Sequence, residues 1–310
     1  PVTPGTPPYE EPKAPAFTAP PIVVPFMTAP PPGAWTWGAN GPQPYRMGYT
    51  LWGDKAWLPG RTTNLPGDSS KFEVFELNLG LNHTVPIDSS PWLFSLEHQF
   101  GYRSWQGPGS VDLPGSAFRF GWDARLETPL NSQYNPFAIS LAFNPSINSD
   151  FGQQLGRQAI NFDGRGIVFW QADPQLLFGL GLQFWDRVHD RVIPYAGFVW
   201  LPDDRWEFRI MWPQSRIQWY LGNVLGEDVW LYASGEYHVE SYQISTSSVA
   251  AGKDQVELED YRILFGVRKS HQSASSFFEG GWVFGRRVDL RSGPDFHVGS
   301  GFIGRIGIRF

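Results

Sequence analysis

From residue 45 onward, apolar and polar residues alternate with period two rather than 3.6, the mark of strands with one apolar face. In 72–83, Phe75, Leu77, Leu79 and Leu81 oppose Glu76, Asn78, Gly80 and Asn82. In 92–105, Trp92, Phe94, Leu96, Phe100 and Tyr102 oppose Ser95, Glu97, Gln99, Gly101 and Arg103. The pattern recurs in 116–127, where Phe118, Phe120, Trp122, Ala124 and Leu126 oppose Arg119, Asp123, Arg125 and Glu127, and in 256–268 around Tyr261, Ile263, Phe265 and Val267. It predicts strands at 45–57, 71–84, 91–105, 116–128, 135–145, 157–171, 176–188, 191–201, 204–212, 216–222, 228–244, 255–269, 276–288 and 299–310. No long helix is predicted.

The connections add a second regularity. Residues 58–70, 106–115, 146–156, 245–254 and 289–298 form long links, and 85–90, 129–134, 172–175, 202–203, 223–227 and 270–275 form shorter ones. Membrane barrels show this asymmetry, with short periplasmic turns and long outer loops. An even strand count then places both termini on the periplasmic side. The links near 189–190 and 213–215 should be outer loops yet are short, which predicts a low rim on one side.

Composition separates two all-β readings. The 310 residues are 41% hydrophobic, 16% aromatic and only 17% charged, against roughly 25% charged in ordinary domains. A soluble sandwich also alternates, but its outer face is usually richer in Lys, Thr and Glu than the Gly- and Arg-bearing faces here. Unpaired backbone is costly in lipid, and a closed barrel pairs all of it without helices. Trp57, Trp92, Trp105, Trp170, Trp200, Trp206, Trp230 and Trp282 near strand ends would form interface girdles. The expectation is all-β: a transmembrane antiparallel up-and-down barrel of about fourteen strands over 45–310, with twelve as the alternative. The net charge of −6 argues against a nucleic-acid partner, and the absence of Cys excludes disulfides and thiolate metal sites.

Residues 1–44 hold half of the chain's 28 prolines, in runs such as "TPPYEEPKAPAFTAPPIVVPFMTAPPPGA". They favour extended polyproline geometry. A flexible linker, a plug folded into the barrel, and a tail docking a periplasmic protein through Tyr9, Phe17, Ile22, Val23, Val24, Phe26 and Trp35 all fit. Pro1 is not a translation start, so a removed or omitted leader is expected.

The segment "GFIGRIGIRF" fits the C-terminal signature of Gram-negative outer-membrane proteins, with Phe302, Ile306, Ile308 and Phe310 on one face. That resemblance implies recognition by the barrel-assembly machinery and an outer-membrane location, in contact with lipid and lipopolysaccharide. The stretches "GPQPYR", "FGYRSW", "DLPGS", "NFDGRG", "FWDR", "IPYAG", "GEYHVE" and "GFIGR", spread over 41–310, resemble a family of planctomycete-type outer-membrane barrels. This resemblance implies fold and location, and no activity.

The faces opposite the apolar ones are expected to line the lumen. Their charges are Arg46, Glu76, Glu97, Arg103, Arg119, Asp123, Arg125, Glu127, Asp163, Arg165, Arg209, Glu236, His238, Glu240, Asp260, Arg262 and Arg305, together with Arg187, Glu207, Arg268, Glu279, Arg287 and Arg309. The signs nearly balance. Such a lumen suits a porin-like passive channel for small solutes, or a closed network of guanidinium–carboxylate pairs in a plugged structural barrel. Fourteen strands leave more space than side chains of an eight-stranded barrel fill.

Ser234, Glu236, His238 and Glu240 share one side of a strand, which raises a barrel hydrolase or a His–carboxylate metal site as remote alternatives. Collinear residues on one strand do not make a triad, so no catalytic residue, metal or cofactor is expected. "NFDGRG" reads as a strand with Asp163 and Arg165 inward, with glycine relief or a bulge, rather than a hairpin.

Overall fold

The computed structural model describes residues 47–128, 136–271 and 274–310. The whole proline-rich segment 1–44, Arg46, and residues 129–135 and 272–273 lie outside the described residues. No helix among the described residues is long and apolar enough to cross a membrane; the chain is built from strands.

The strands are β1 (Gly48–Thr62), β2 (Lys71–Pro86), β3 (Leu93–Gln106), β4 (Ser116–Glu127), β5 (Phe137–Ser149), β6 (Ile160–Asp173), β7 (Leu176–Trp185), β8 (Arg191–Trp200), β9 (Trp206–Trp212), β10 (Gln214–Val224), β11 (Glu227–Ser245), β12 (Lys253–His271), β13 (Ala274–Leu290), β14 (Phe296–Val298) and β15 (Gly301–Arg309). Each pairs antiparallel with its chain neighbour, and β15 pairs with both β13 and β1. Trp52↔Arg309 through Trp57↔Gly304 form the seam, extended by reciprocal backbone bonds between Leu51 and Phe310. The short β14 continues the pairing of β15 along β13, so the two act as one interrupted strand. The result is a closed barrel of fourteen strands.

The alternation sets the two faces. Leu51, Trp57, Leu79, Leu81, Phe94, Phe120, Trp122, Leu141, Leu180, Leu182, Phe265, Phe278, Ile306 and Ile308 are exposed outward. That apolar exterior matches a membrane-spanning barrel, whose lipid face replaces a soluble core. Trp57, Trp170, Trp200, Trp206 and Trp282 lie on it. Trp105 and Trp230 do not: both are buried inside, Trp105 edge-on to Tyr242 and Trp230 under the Arg268 guanidinium. Their odd and even places on β3 and β11 put them on the inward face, which the girdle expectation overlooked.

The expected strand at 157–171 begins instead with a single 3₁₀ turn, Arg157–Ala159, before β6. Asp163 and Arg165 fall in regular pairing with Asn144 and Ala142, without a bulge. The bulge that matters lies on β13, where Gly285 at φ +61° lets two residues face Asp260. Beyond it Arg286 and Val288 turn inward, and Arg287 turns out to meet Asp295, contrary to its expected inward place.

The rim is uneven. β8, β9 and β10 are short, and a lone Pro213 joins β9 to β10. β11 and β12 are the longest strands and run past that low wall. Above Gln214↔Glu236, β11 has no β10 partner and leans across to β5, where Gln243 meets Ser149 in a parallel bridge. The low rim is thus roofed by the β11–β12 hairpin.

Candidate functional site: the lumen

The inward face carries two apolar zones and a charged layer. At the end away from Gly48 and Phe310, Leu58, Phe72, Val74, Trp105, Tyr242, Ile244, Val256, Leu258, Val288, Phe296 and Val298 pack into one buried cluster. On the opposite side, toward the end holding Gly48 and Phe310, Ala138, Ile167, Phe169, Leu177, Tyr195, Val199 and Met211 form a second. Inward apolar residues at these strand positions narrow the lumen from two sides. The period-two reading identified the faces but did not anticipate that the inner one would turn apolar near the end away from Gly48 and Phe310.

Between the zones, arginines reach across the lumen. Arg103 on β3 pairs with Glu240 on β11, with Nη2–Oε2 at 2.8 Å and both Nε bonds at 3.0 Å. Arg262 on β12 donates to Glu76 on β2 at 2.7 Å and 3.2 Å, to Asp260 at 2.7 Å, and meets His238 Nδ1 at 3.0 Å. Arg305 on β15 holds Glu236 at 2.7 Å and also Glu279. These groups are buried, Arg262 to 2% and Glu76 to 3% exposure. Removed from water, each carboxylate needs its guanidinium partner. A second buried set, Glu207, Arg209 and Gln218, joins β9 to β10.

The inward faces of β2–β5 differ over part of their length. Thr84, Ser95, Asn82, Glu97, Arg125, Glu127 and Ser140 line them toward the end holding Gly48 and Phe310, linked by hydrogen bonds such as Thr84–Ser95 at 2.9 Å and Ser140–Glu127 at 2.7 Å. Higher up, Gln99, Arg119, Asp123, Asn144, Asp163, Arg165, Gln183 and Trp185 surround a polar cavity of about 220 Å³. Farther along β5 and β6, amide and hydroxyl contacts tie these strands to the leaning hairpin: Asn148 Nδ2 to Ser241 O at 3.0 Å, Asn161 Nδ2 to Ser241 Oγ at 2.8 Å, and Ser245 N to Asp150 at 2.7 Å.

The residues expected in the lumen thus divide. Glu76, Arg103, Glu236, His238, Glu240, Asp260, Arg262 and Arg305 belong to the cross-lumen network; Glu97, Arg119, Asp123, Arg125, Glu127, Asp163 and Arg165 belong to the polar wall; Arg209 joins the β9–β10 pair. Phe302, Ile306, Ile308 and Phe310 are exposed on the outer face. Ser234 Oγ makes no hydrogen bond and His238 is engaged with Arg262, so no Ser–His pair forms on β11.

Sequence reading also missed a rim cluster. His189, Glu257 and Asp289 place ligand-type atoms within 4.8 Å of one another, from a loop and two strands far apart in sequence. Both carboxylates already pair with arginines, Glu257 with Arg191 and Asp289 with Arg287.

No family model matches the chain, and no curated protein matches it. The planctomycete-type resemblance therefore gains no support from them. Solved structures similar to the chain include a deletion mutant of the TodX monoaromatic hydrocarbon channel, at 9% identity over 86% of this chain and 90% of that one, with a TM-score of 0.45. An outer-membrane channel from Pseudomonas putida F1 matches at 11% identity over 86% and 96%, with a TM-score of 0.43. A mutant Rh. blastica porin matches at 8% identity over 84% and 99%, with a TM-score of 0.26. The barrel assignment itself rests on the strand pairing and the apolar exterior.

Proposed function

We propose that the chain is an outer-membrane barrel acting as a narrow channel for small polar solutes. The observation that carries this reading is the run of polar inward residues on β2–β5 that leads to the polar cavity beside β3–β7. It runs from Thr84, Ser95 and Glu127 up to the cavity beside Arg119 and Arg165. The path is one-sided, because apolar clusters and cross-lumen ion pairs occupy the remaining section. The leaning β11–β12 hairpin is the outer gate, held to the β5–β6 end by side-chain hydrogen bonds that thermal motion can break singly.

Both termini are assigned to the periplasm, on the side of the short links. There, residues 1–44 would meet a periplasmic protein, and the Phe302–Phe310 face would be read by the barrel-assembly machinery. Copurification of a protein that disappears when residues 1–44 are deleted would support the first assignment.

A plugged structural barrel is the second reading. It is favoured by one observation, the Arg103–Glu240 and Arg262–Glu76 pairs that span the lumen. Solute uptake into vesicles separates the two. The channel reading expects swelling of vesicles holding the purified chain in small polar solutes and none in larger sugars. A uniform absence of swelling supports the plug.

A further inference from the structure

We propose that the cavity between β3 and β7 is a binding site for a small organic carboxylate; this names the solute class of the channel reading and rests on it. The cavity holds four charged side chains, but their pairing is unequal. Asp163 is gripped by Arg187, which donates from Nη1 at 2.7 Å and Nη2 at 2.9 Å. Asp123 is held by Arg125 Nε at 3.1 Å. Both carboxylates are thus engaged by arginines that do not line the cavity.

The two arginines that do line it lack an equivalent partner. Arg119 spends its donors on neutral oxygens, Nη1 to Gln99 Oε1 at 2.7 Å and Nη2 to Asn144 Oδ1 at 2.7 Å. Those amides fix the guanidinium plane without neutralising it. The Arg165 guanidinium makes no hydrogen bond among the described residues; its nearest carboxylate oxygen is Asp123 Oδ2, 3.8 Å from Nη2 and already shared with Arg125. Its side chain is 30% exposed, toward the cavity. A planar guanidinium with free donors matches a carboxylate bidentately.

Size and lining narrow the ligand further. At about 220 Å³ the cavity has room for about seven waters, which suits a solute of small organic-acid size. Trp185 closes one side, braced by stacking on Tyr237 at 5.9 Å between ring centroids. An aromatic wall beside a cation fits an anion with an apolar or ring body better than a bare inorganic ion. The free carboxamide of Gln183 lies on the same strand two residues away, facing the same side.

Binding of benzoate, of its neutral isostere benzamide, and of inorganic phosphate to the purified full chain in detergent tests this. Trp fluorescence and calorimetry would read it. The expected result is saturable benzoate binding, weakened about ten- to a hundredfold by Arg165→Gln, partly kept by Arg165→Lys, and weak binding of the other two probes. Heat-modifiable gel mobility would confirm that each variant is a folded barrel. Equal binding of benzoate and benzamide, preference for phosphate, no binding, or an Arg165→Gln variant that binds benzoate normally would each overturn the proposal. Solute uptake measured on the same preparations keeps the two readings apart. Uptake without Arg165-dependent benzoate binding removes the site and leaves the channel. Arg165-dependent binding without any uptake removes the channel and leaves the site.

Discussion

Arg262 bonds two carboxylates, Glu76 and Asp260, and meets His238, with its own side chain buried. Its partners Glu76 and Asp260 come from β2 and from its own strand, so one guanidinium ties two distant walls. Arg262→Met would leave both carboxylates buried and unpaired. The expected loss is about 3–5 kcal/mol, read as a lower urea midpoint in vesicles. Adding Glu76→Gln to that variant is expected to restore part of it, because the remaining buried charge is removed. At Gly80, a Cβ would stand 2.2 Å from Trp52 Nε1, so glycine is what lets this inward indole lie flat on β2. Trp105→Ala empties a site edge-on to Tyr242 and is expected to cost about 3–5 kcal/mol, measured by the same unfolding.

At the scale of elements, the β11–β12 hairpin and the long loops tie together the rim away from Gly48 and Phe310. Asn148→Ala with Asn161→Ala removes the side-chain bonds to Ser241, and faster hydrogen exchange across 240–247 is the expected outcome. The loops are also tied by carboxylates. Asp68 accepts from the hydroxyls and backbone N–H groups of Ser110 and Ser70, and Asp112 from the backbone N–H and hydroxyl of Ser247. These donors hold both carboxyls below the usual range, most strongly the Ser110 hydroxyl for Asp68 and the Ser247 N–H for Asp112. A depressed carboxyl contributes its full stabilisation above its ordinary value of about 4 and loses it as pH falls through the folded value. The loops at 63–70 and 107–115 are therefore expected to become more protease-sensitive as pH drops from 5 toward 2. Asp68→Asn should show the sensitive behaviour at 63–70 throughout.

The elements were legible because period two is a local signal. The least regular strand, expected at 216–222, is present as Gln214–Val224, and the short links at 189–190 and 213–215 do mark a low rim. What fills that gap was not legible. The lean of β11 onto β5 joins Gln243 to Ser149, residues with no local relation. The same limit hid the cross-lumen partners of Arg103 and Arg262. Alternation shows that such residues point inward, while their partners depend on barrel shape. Trp105 and Trp230 show the converse error, since aromatic type suggested an interface where strand parity dictated the interior.

For the molecule as a whole, a fourteen-strand wall encloses a lumen partly filled by its own side chains. Two apolar clusters and three arginine-centred bridges occupy it, and one polar wall remains. On the proposed channel reading, a barrel so filled passes solutes only through a restricted side path. Single-channel recording of the purified full chain in a planar bilayer, beside the Asn148→Ala/Asn161→Ala variant, tests this most directly. The account predicts rare, small openings in the parent chain that become more frequent in the variant. Wide, steady conductance of a general pore in the parent chain, or silence in both proteins, would contradict it.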